Sequence, residues 1–332
     1  MRFNLHCLKI INKYIKKKLR DHEKILLISA ITQIVFLDFK EYAVINCSVE
    51  IAKKLKLYPG LINASLKKIA KNKNNLKEVK ISFYDFPLWF QKKTFNLTKF
   101  EKNQFINYFY REPDIHIVFK NEKKLDKFED KLIKTSKISG FILNKKDFQN
   151  KQSFINGDWW VQDLSSFLPL YNFQEYNNNK GKKFLDVCAA PGGKSFQILS
   201  NKHNIILNDI NNTRIKTLKD NLKRLKLNAK IINKDFTKFN NKEKYDIIII
   251  DAPCSAVGTI RKNPEIFFKR SAPNFNELIL LQENMLNKAS SILNENGYII
   301  YMTCSFLKIE TIDQIDNFIN KNSNFLIADL NL

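Results

Sequence analysis

The distribution of apolar and polar positions changes character along the chain. Between residues 21 and 72 it follows a helical period. In "EYAVINCSVEIAKKLKL", Val44, Cys47, Ile51 and Leu55 fall at spacings of three and four, which predicts one apolar helix face. Pro59-Gly60 interrupts the run, and Ile62, Leu66 and Ile69 resume it in "LINASLKKIA". From about residue 76 to 150 the segments are short and mixed. "DIHIVFK" (114–120) alternates as a strand does, "EKKLDKFEDKLIKT" (122–135) reads as an amphipathic helix, and "SGFILN" (139–144) reads as a second strand. A Gln/Asn/Lys-rich stretch, "NKKDFQNKQS" (144–153), reads as a linker.

After residue 180 the pattern becomes regular. "KKFLDV" (182–187), "NIILND" (204–209), "NAKIIN" (228–233), "YDIIIID" (245–251) and "GYIIYMT" (297–303) are strand candidates, and helical segments at 193–201, 212–227 and 277–293 separate most of them. Strands that are apolar throughout and alternate with helices predict a parallel sheet covered on both faces. Ligands of such sheets bind beyond the carboxyl ends of the strands. Those ends carry Asp186, Asp209, Asp251 and Cys304. The expected chain is therefore multi-domain: an all-α region at 1–75, a small α+β module at 76–150, and an α/β Rossmann-like domain at 151–332.

Composition narrows the function classes. The five cysteines (Cys7, Cys47, Cys188, Cys254 and Cys304) are widely spaced with no CxxC pair, so neither a disulfide framework nor a metal site is expected. "ILLISAITQIVFLDF" is too short to span a bilayer and is interrupted by Ser29, Thr32 and Gln33. The N-terminal "INKYIKKKLR" is basic and amphipathic, without the apolar core of a secretion signal. A soluble, cytoplasmic, monomeric protein is expected. The formal net charge is +23, and the excess lies in front: residues 1–150 hold 32 Lys and Arg against 15 Asp and Glu, the remainder 24 against 18. A coding bias toward lysine would raise the total, but the asymmetry points to a polyanion held by the front half.

The strand ends carry the chemistry. "DVCAAPGGKS" (186–195) is a tight turn leading into a helix whose free N–H groups can receive a carboxylate or phosphate. It differs from an ATPase phosphate loop because Cys188 stands where the first glycine is required. Asp209, closing the second strand, suits ribose hydroxyls or caps the next helix. Asp235 suits an adenine amino group or a surface turn. Taken together, the loop and the acids describe a nucleoside site that repels a triphosphate and favours a cationic or zwitterionic tail. Cys254, in "DAPCSAVGTIRKNPE", and Cys304, in "TCS", lie at the tips of neighbouring strands. They are either small buried residues or thiols able to add to an electrophilic carbon.

The set "DVCAAPGGKS", "NDI", "KDF", "DAPCSAVGTIRKNPE" and "MTCSFLKIE" resembles the RNA 5-methylcytosine methyltransferases of the RsmB/Sun type, which use S-adenosylmethionine. "GDWWVQDLSSFLPL" (157–170) is similar to the segment opening that family's catalytic domain, and the helices over residues 21–72 resemble its NusB-like RNA-binding domain. The resemblance implies that Cys304 adds to carbon 6 of a cytosine, that Cys254 assists proton removal and release, and that Asp251 hydrogen-bonds the ring. It implies a cofactor pocket built from Cys188, Ala189, Ala190, Pro191, Gly192, Gly193 and Lys194, with Asp209 at the ribose, Asp235 near the adenine, and Asp251 alongside. Arg261 and Lys262 are candidates for phosphates near the target, or solvated loop charges. Small-subunit ribosomal RNA, bound by the basic front half, is the implied partner; a transfer RNA target, or a binding factor without catalysis, are the alternatives. Relative to the family, the NusB-like region is expected to be shortened at its front and the sheet to lack a final hairpin.

Overall fold

The computed structural model describes residues 1–144, 147–176, 180–240 and 243–328. It divides into two compact units. The first takes Met1–Glu112 together with Ile260–Ala272; the second takes Pro113–Thr259 and Pro273–Leu332.

The first unit is helical: α1 (Asn4–Tyr14), α2 (Asp21–Ile31), α3 (Glu41–Lys54), α4 (Pro59–Ala70), α5 (Lys73–Lys77), α6 (Leu88–Lys93) and α7 (Lys99–Tyr110). Local sequence sets several ends. Pro59 opens α4, where its missing N–H costs nothing. At α7, Thr98 and Glu101 close a reciprocal capping box. The core joins Ile10, Leu27, Ile31, Ile34, Ile62, Leu66 and Ile69. α1 contributes Cys7, Ile10 and Ile11 to it, so the helical region begins ahead of residue 21. The α3 face differs from expectation. Val44, Ile45, Ser48 and Ala52 are buried, whereas Cys47, Ile51 and Leu55 are exposed. Ser48 and Ala52 are small and allow close approach to α4, and Ser48 Oγ satisfies itself on Val44 O at 2.7 Å.

Aromatic packing extends this unit. Phe83, Phe86, Phe90, Phe105 and Phe109 gather around Phe267, whose ring centroid lies 4.8 Å from that of Phe90 and 5.3 Å from that of Phe86. The expected module at 76–150 is thus split at Glu112, because its phenylalanine-rich front packs with the helices.

In the second unit, strands β1 (His116–Phe119), β2 (Leu132–Ser136), β3 (Ser139–Ile142) and β4 (Trp159–Val161) form an antiparallel sheet in the order β2-β3-β1-β4. The expected helix over 122–135 ends early, as α8 (Glu122–Asp126). Leu132–Ser136 instead pairs with Ser139–Ile142 in a hairpin, and that pairing overrides local helical preference. The expected linker holds a short helix, α9 (Gln152–Ile155), and positions 145–146 lie outside the described residues. β4 draws "WWV" into this small sheet. Val118 and Trp160 join the core cluster that holds Phe184, Leu207 and Ile247, while Ile117, Phe119 and Trp159 form a separate cluster.

After α10 (Leu164–Tyr176), the larger sheet follows: β5 (Lys183–Asp186), α11 (Gly193–Ser200), β6 (Asn204–Asn208), α12 (Asn212–Leu225), β7 (Lys230–Ile232), β8 (Tyr245–Asp251), α13 (Phe275–Ser291), β9 (Leu293–Met302) and α14 (Ile312–Lys321). Its order is β7-β6-β5-β8-β9, and every pair is parallel. The unbroken isoleucines of β8 explain its central place. Ile247 and Ile249 enter one core cluster, Ile248 and Ile250 the other. Because every strand runs the same way, the residues closing β5 to β9 collect along one edge. The strand order reverses between β5 and β8, and ligands of such sheets bind in the crevice at that point.

Candidate active site

Asp251 and Met302 are register partners on β8 and β9, and Ala252 N extends the ladder to Met302 O at 2.8 Å. The chain leaves each strand within a few residues of a cysteine. Cys254 Sγ and Cys304 Sγ consequently lie 3.2 Å apart, the first half-buried and the second exposed. Gly258 donates its N–H to Cys304 O at 2.9 Å, and a Cβ on residue 258 would stand 2.8 Å from that oxygen. Only glycine permits this approach.

The two thiols are not equivalent. The hydrogen bond from the Cys254 thiol holds the Cys304 thiol below its ordinary value. The same bond, with burial second, pushes the Cys254 thiol up. The shifts make Cys304 the sulfur disposed to ionise and Cys254 the one disposed to keep its proton. A thiolate is the nucleophilic form, so the pair has one attacker and one partner.

Beside them, Lys194 Nζ donates to Asp251 Oδ2 at 2.6 Å and to Ser166 Oγ of α10 at 2.9 Å. The lysine side chain is 11% exposed and the aspartate 36%. An ATPase would need this ammonium for phosphates; here it is committed to a carboxylate and a hydroxyl.

The loop from Cys188 to Gly193 leads from β5 into α11. Gly192 has φ +118°, a backbone conformation L side chains rarely adopt, and a Cβ there would meet the Phe196 ring. Asp209 anchors the loop: its Oδ2 accepts from Ala190 N at 3.2 Å, its Oδ1 from Asn211 N at 2.9 Å, and Arg214 Nη1 stands 3.6 Å away. Arg214 also donates to Ala190 O. Asp235 caps a short helical turn, accepting from Thr237 N at 3.0 Å and Thr237 Oγ1 at 2.7 Å. Asp186 is fully buried; Ser195 Oγ donates to its Oδ2 at 2.7 Å, and its Oδ1 has no protein partner. Burial raises its carboxyl to about 6. Burial also pushes the Cys188 thiol up, and the carboxylates of Asp186, Asp209 and Asp251 add to the effect.

The edge therefore combines carboxylates at successive strand ends, a glycine loop under a helix terminus, and one ammonium already neutralised. That donor set fits a nucleoside bearing an amino-acid and sulfonium tail better than a polyphosphate.

Comparison with known proteins agrees. Residues 174–332 match the family described as 16S rRNA methyltransferase RsmB/F, and residues 7–71 match the NusB family. Over those two stretches the chain is similar to the RsmB/F methyltransferases and to NusB proteins. It is 36% identical over 173 residues to ribosomal RNA small subunit methyltransferase B of Photorhabdus laumondii, covering 51% of this chain but only 40% of that protein. With its namesake in Vibrio vulnificus it shares 27% identity over 336 residues, covering 94% and 77%. The crystal structure of PH0851 superposes with a TM-score of 0.73 at 22% identity, covering 97% of this chain and 78% of that one. NSun6 from Pyrococcus horikoshii with SFG gives 0.60 at 19%, covering 71% and 88%. Both share the fold.

The structure gathers Cys304, Cys254, Asp251 and Lys194 into one cluster, and places Asp209 against the loop at Ala190. Arg261 lies in the downstream segment that joins the helical unit. Its guanidinium donates to Glu112 O at 2.8 Å, and Arg2 holds Arg261 O at 2.7 Å, so Arg261 fastens its own segment within the helical unit. Ser166, Asn208, Gln162 and Gln282 escaped the sequence. Asn208 donates to Val187 O at 3.1 Å and accepts from Lys234 N at 3.2 Å, spanning three strand ends. The available signal was polar residues within the quoted segments, Gln162 and Ser166 in "GDWWVQDLSSFLPL" and Asn208 in "NDI".

Proposed function

We propose that this protein transfers a methyl group from S-adenosylmethionine to carbon 5 of a cytosine in small-subunit ribosomal RNA. The observation that carries the proposal is the pair of thiols 3.2 Å apart with opposite shifts, beside a lysine-held aspartate. Carbon 5 of cytosine is unreactive until a nucleophile breaks the ring's aromaticity. Cys304 performs that addition at carbon 6, and the electron pair it contributes makes carbon 5 nucleophilic. Asp251, oriented by Lys194, hydrogen-bonds the ring as charge develops. Cys254 then takes the carbon 5 proton as its own thiol proton passes to the departing Cys304 sulfur, and the electron pair left at carbon 5 re-forms the ring and expels that sulfur, which regenerates the enzyme.

The cofactor supplies the electrophilic methyl group when bound. The loop residues Cys188 to Lys194 would hold its tail, with Asp209 toward the ribose and Asp235 toward the adenine. The target base must leave its stack to reach the thiols. The basic front half would grip the surrounding RNA by its phosphates.

The direct test incubates the purified chain with S-adenosylmethionine and small-subunit RNA, then reads 5-methylcytosine by bisulfite sequencing. A site-specific product is expected. Its absence with the cofactor bound in calorimetry would favour another RNA target, and no product together with no cofactor binding would reject the reading in favour of an RNA-binding factor.

A further inference from the structure

A 3.2 Å sulfur separation must be maintained between two loops that leave adjacent strands. Gly258 fixes one backbone against the other. A second device involves a residue that touches neither thiol. Glu310, on the turn before α14, is completely buried. Its Oε1 accepts from Ser255 N at 2.7 Å, and its Oε2 accepts from Ser255 Oγ at 2.5 Å. Gln282 of α13 donates through Nε2 to Pro253 O at 2.9 Å and lies 3.4 Å from Glu310 Oε1.

Pro253 and Ser255 are the two neighbours of Cys254. Both are therefore tied to one buried carboxyl group, one directly and one through Gln282. The tie reaches the other loop as well. Ser255 Oγ stands 3.3 Å from Ser305 Oγ, and Ser305 follows Cys304. Tyr301 of β9 donates its hydroxyl to Glu310 O at 3.0 Å. Burying a carboxyl group is costly unless its oxygens are satisfied. Here both oxygens are spent on the residue next to Cys254.

We propose that Glu310 is a positioning residue for the thiol pair: its carboxylate holds the Cys254 loop so that the Cys254 thiol stays within hydrogen-bond reach of the Cys304 sulfur. The meaning of this for catalysis rests on the function proposed above, but the consequence for the sulfur does not. A side chain that merely stabilised the fold would leave the Cys304 thiol alone once the protein was folded. A positioning residue acts on Cys304 only through Cys254.

The test uses the full chain without RNA or cofactor. Iodoacetamide alkylation of the Cys304 peptide is followed by mass spectrometry across a pH series, reporting the thiolate directly. Glu310→Gln keeps one acceptor oxygen and sets an NH2 group against Ser255. Alkylation of Cys304 near neutral pH is expected to slow about tenfold, as the midpoint moves up by about one unit. In a Cys254→Ala background the same substitution should change the rate by less than about twofold. Equal slowing in both backgrounds, or an unchanged profile in a folded Glu310→Gln protein, overturns the proposal. Should Glu310→Gln fail to fold, Ser255→Ala carries the test: it removes the hydroxyl contacts to Glu310 and Ser305 and keeps the backbone bond to Glu310. A slowing of about two- to fivefold, again dependent on Cys254, is expected, and no slowing overturns the proposal. A wild-type protein that made no 5-methylcytosine would refute the function above while leaving these thiol results standing.

Discussion

Cys188 and Cys304 occupy the same edge of one sheet, just beyond β5 and β9, and they are chemical opposites. Cys188 is enclosed in the loop between β5 and α11. Burial, with the carboxylates of Asp186, Asp209 and Asp251 added, keeps its thiol protonated. Cys304 is exposed and receives a hydrogen bond from a second thiol, which favours its ionised form. Position at a strand end does not make a sulfur reactive. A neighbour able to donate does, outweighing at Cys304 the opposing effect of the Asp251 carboxylate.

The contrast can be broken most sharply at Cys304. Cys304→Ala should reduce methyl incorporation by at least roughly a thousandfold, measured with radiolabelled cofactor, while calorimetric cofactor affinity changes little. Cys254→Ala should slow turnover by about ten- to a hundredfold and accumulate a protein–RNA adduct that survives denaturing electrophoresis. Normal turnover without a band would remove Cys254 from the release step.

A smaller effect concerns the buried acid beneath the loop. Asp186 has a folded-state value of about 6, raised above the ordinary carboxylate range by burial. Between about pH 4 and 6 the folded state holds a proton that the unfolded state has lost. Its contribution to stability is therefore complete below about pH 4 and declines as pH rises through 6, by about 3 kcal/mol. Asp186→Asn should flatten that part of the melting-temperature profile relative to wild type; identical slopes would contradict the assignment. The smallest effect belongs to Cys188→Ala, which should leave turnover within about threefold. Under the iodoacetamide conditions that label Cys304, Cys188 should remain the slower of the two.

The sheet was legible in the sequence because its physics is local. Ile247 to Ile250 form an unbroken apolar run, which only a strand covered on both faces can bury. The thiols and acids followed, since parallel strands bring all their ends to one edge. Other features depend on partners distant in the chain. Ser166 meets Lys194 across 28 positions, and Ser255 meets Glu310 across 55, so no spacing rule reveals them. On α3 the period was right but the face was not: size decided it, Ser48 and Ala52 fitting where Ile51 and Leu55 do not. Residues 127–135 were misjudged because a hairpin partner outweighed helical spacing. For Arg261 the sequence offers a phosphate contact or a solvated loop charge, and its bond to Glu112 O, 149 positions away, is visible to neither reading.

One feature of the helical unit bears on how such proteins can be taken apart. Phe267 fills the aromatic cage of Phe86, Phe90 and Phe105, yet it is encoded far downstream, between the Cys254 loop and α13. A gene cut after residue 112 would specify the cage without its occupant, leaving a greasy cleft open to water and prone to self-association. Recombination could move this body between relatives only by carrying two separate stretches of coding sequence together. The front of the molecule, for all that it looks like a detachable cassette, is stitched into the reading frame of the enzyme behind it.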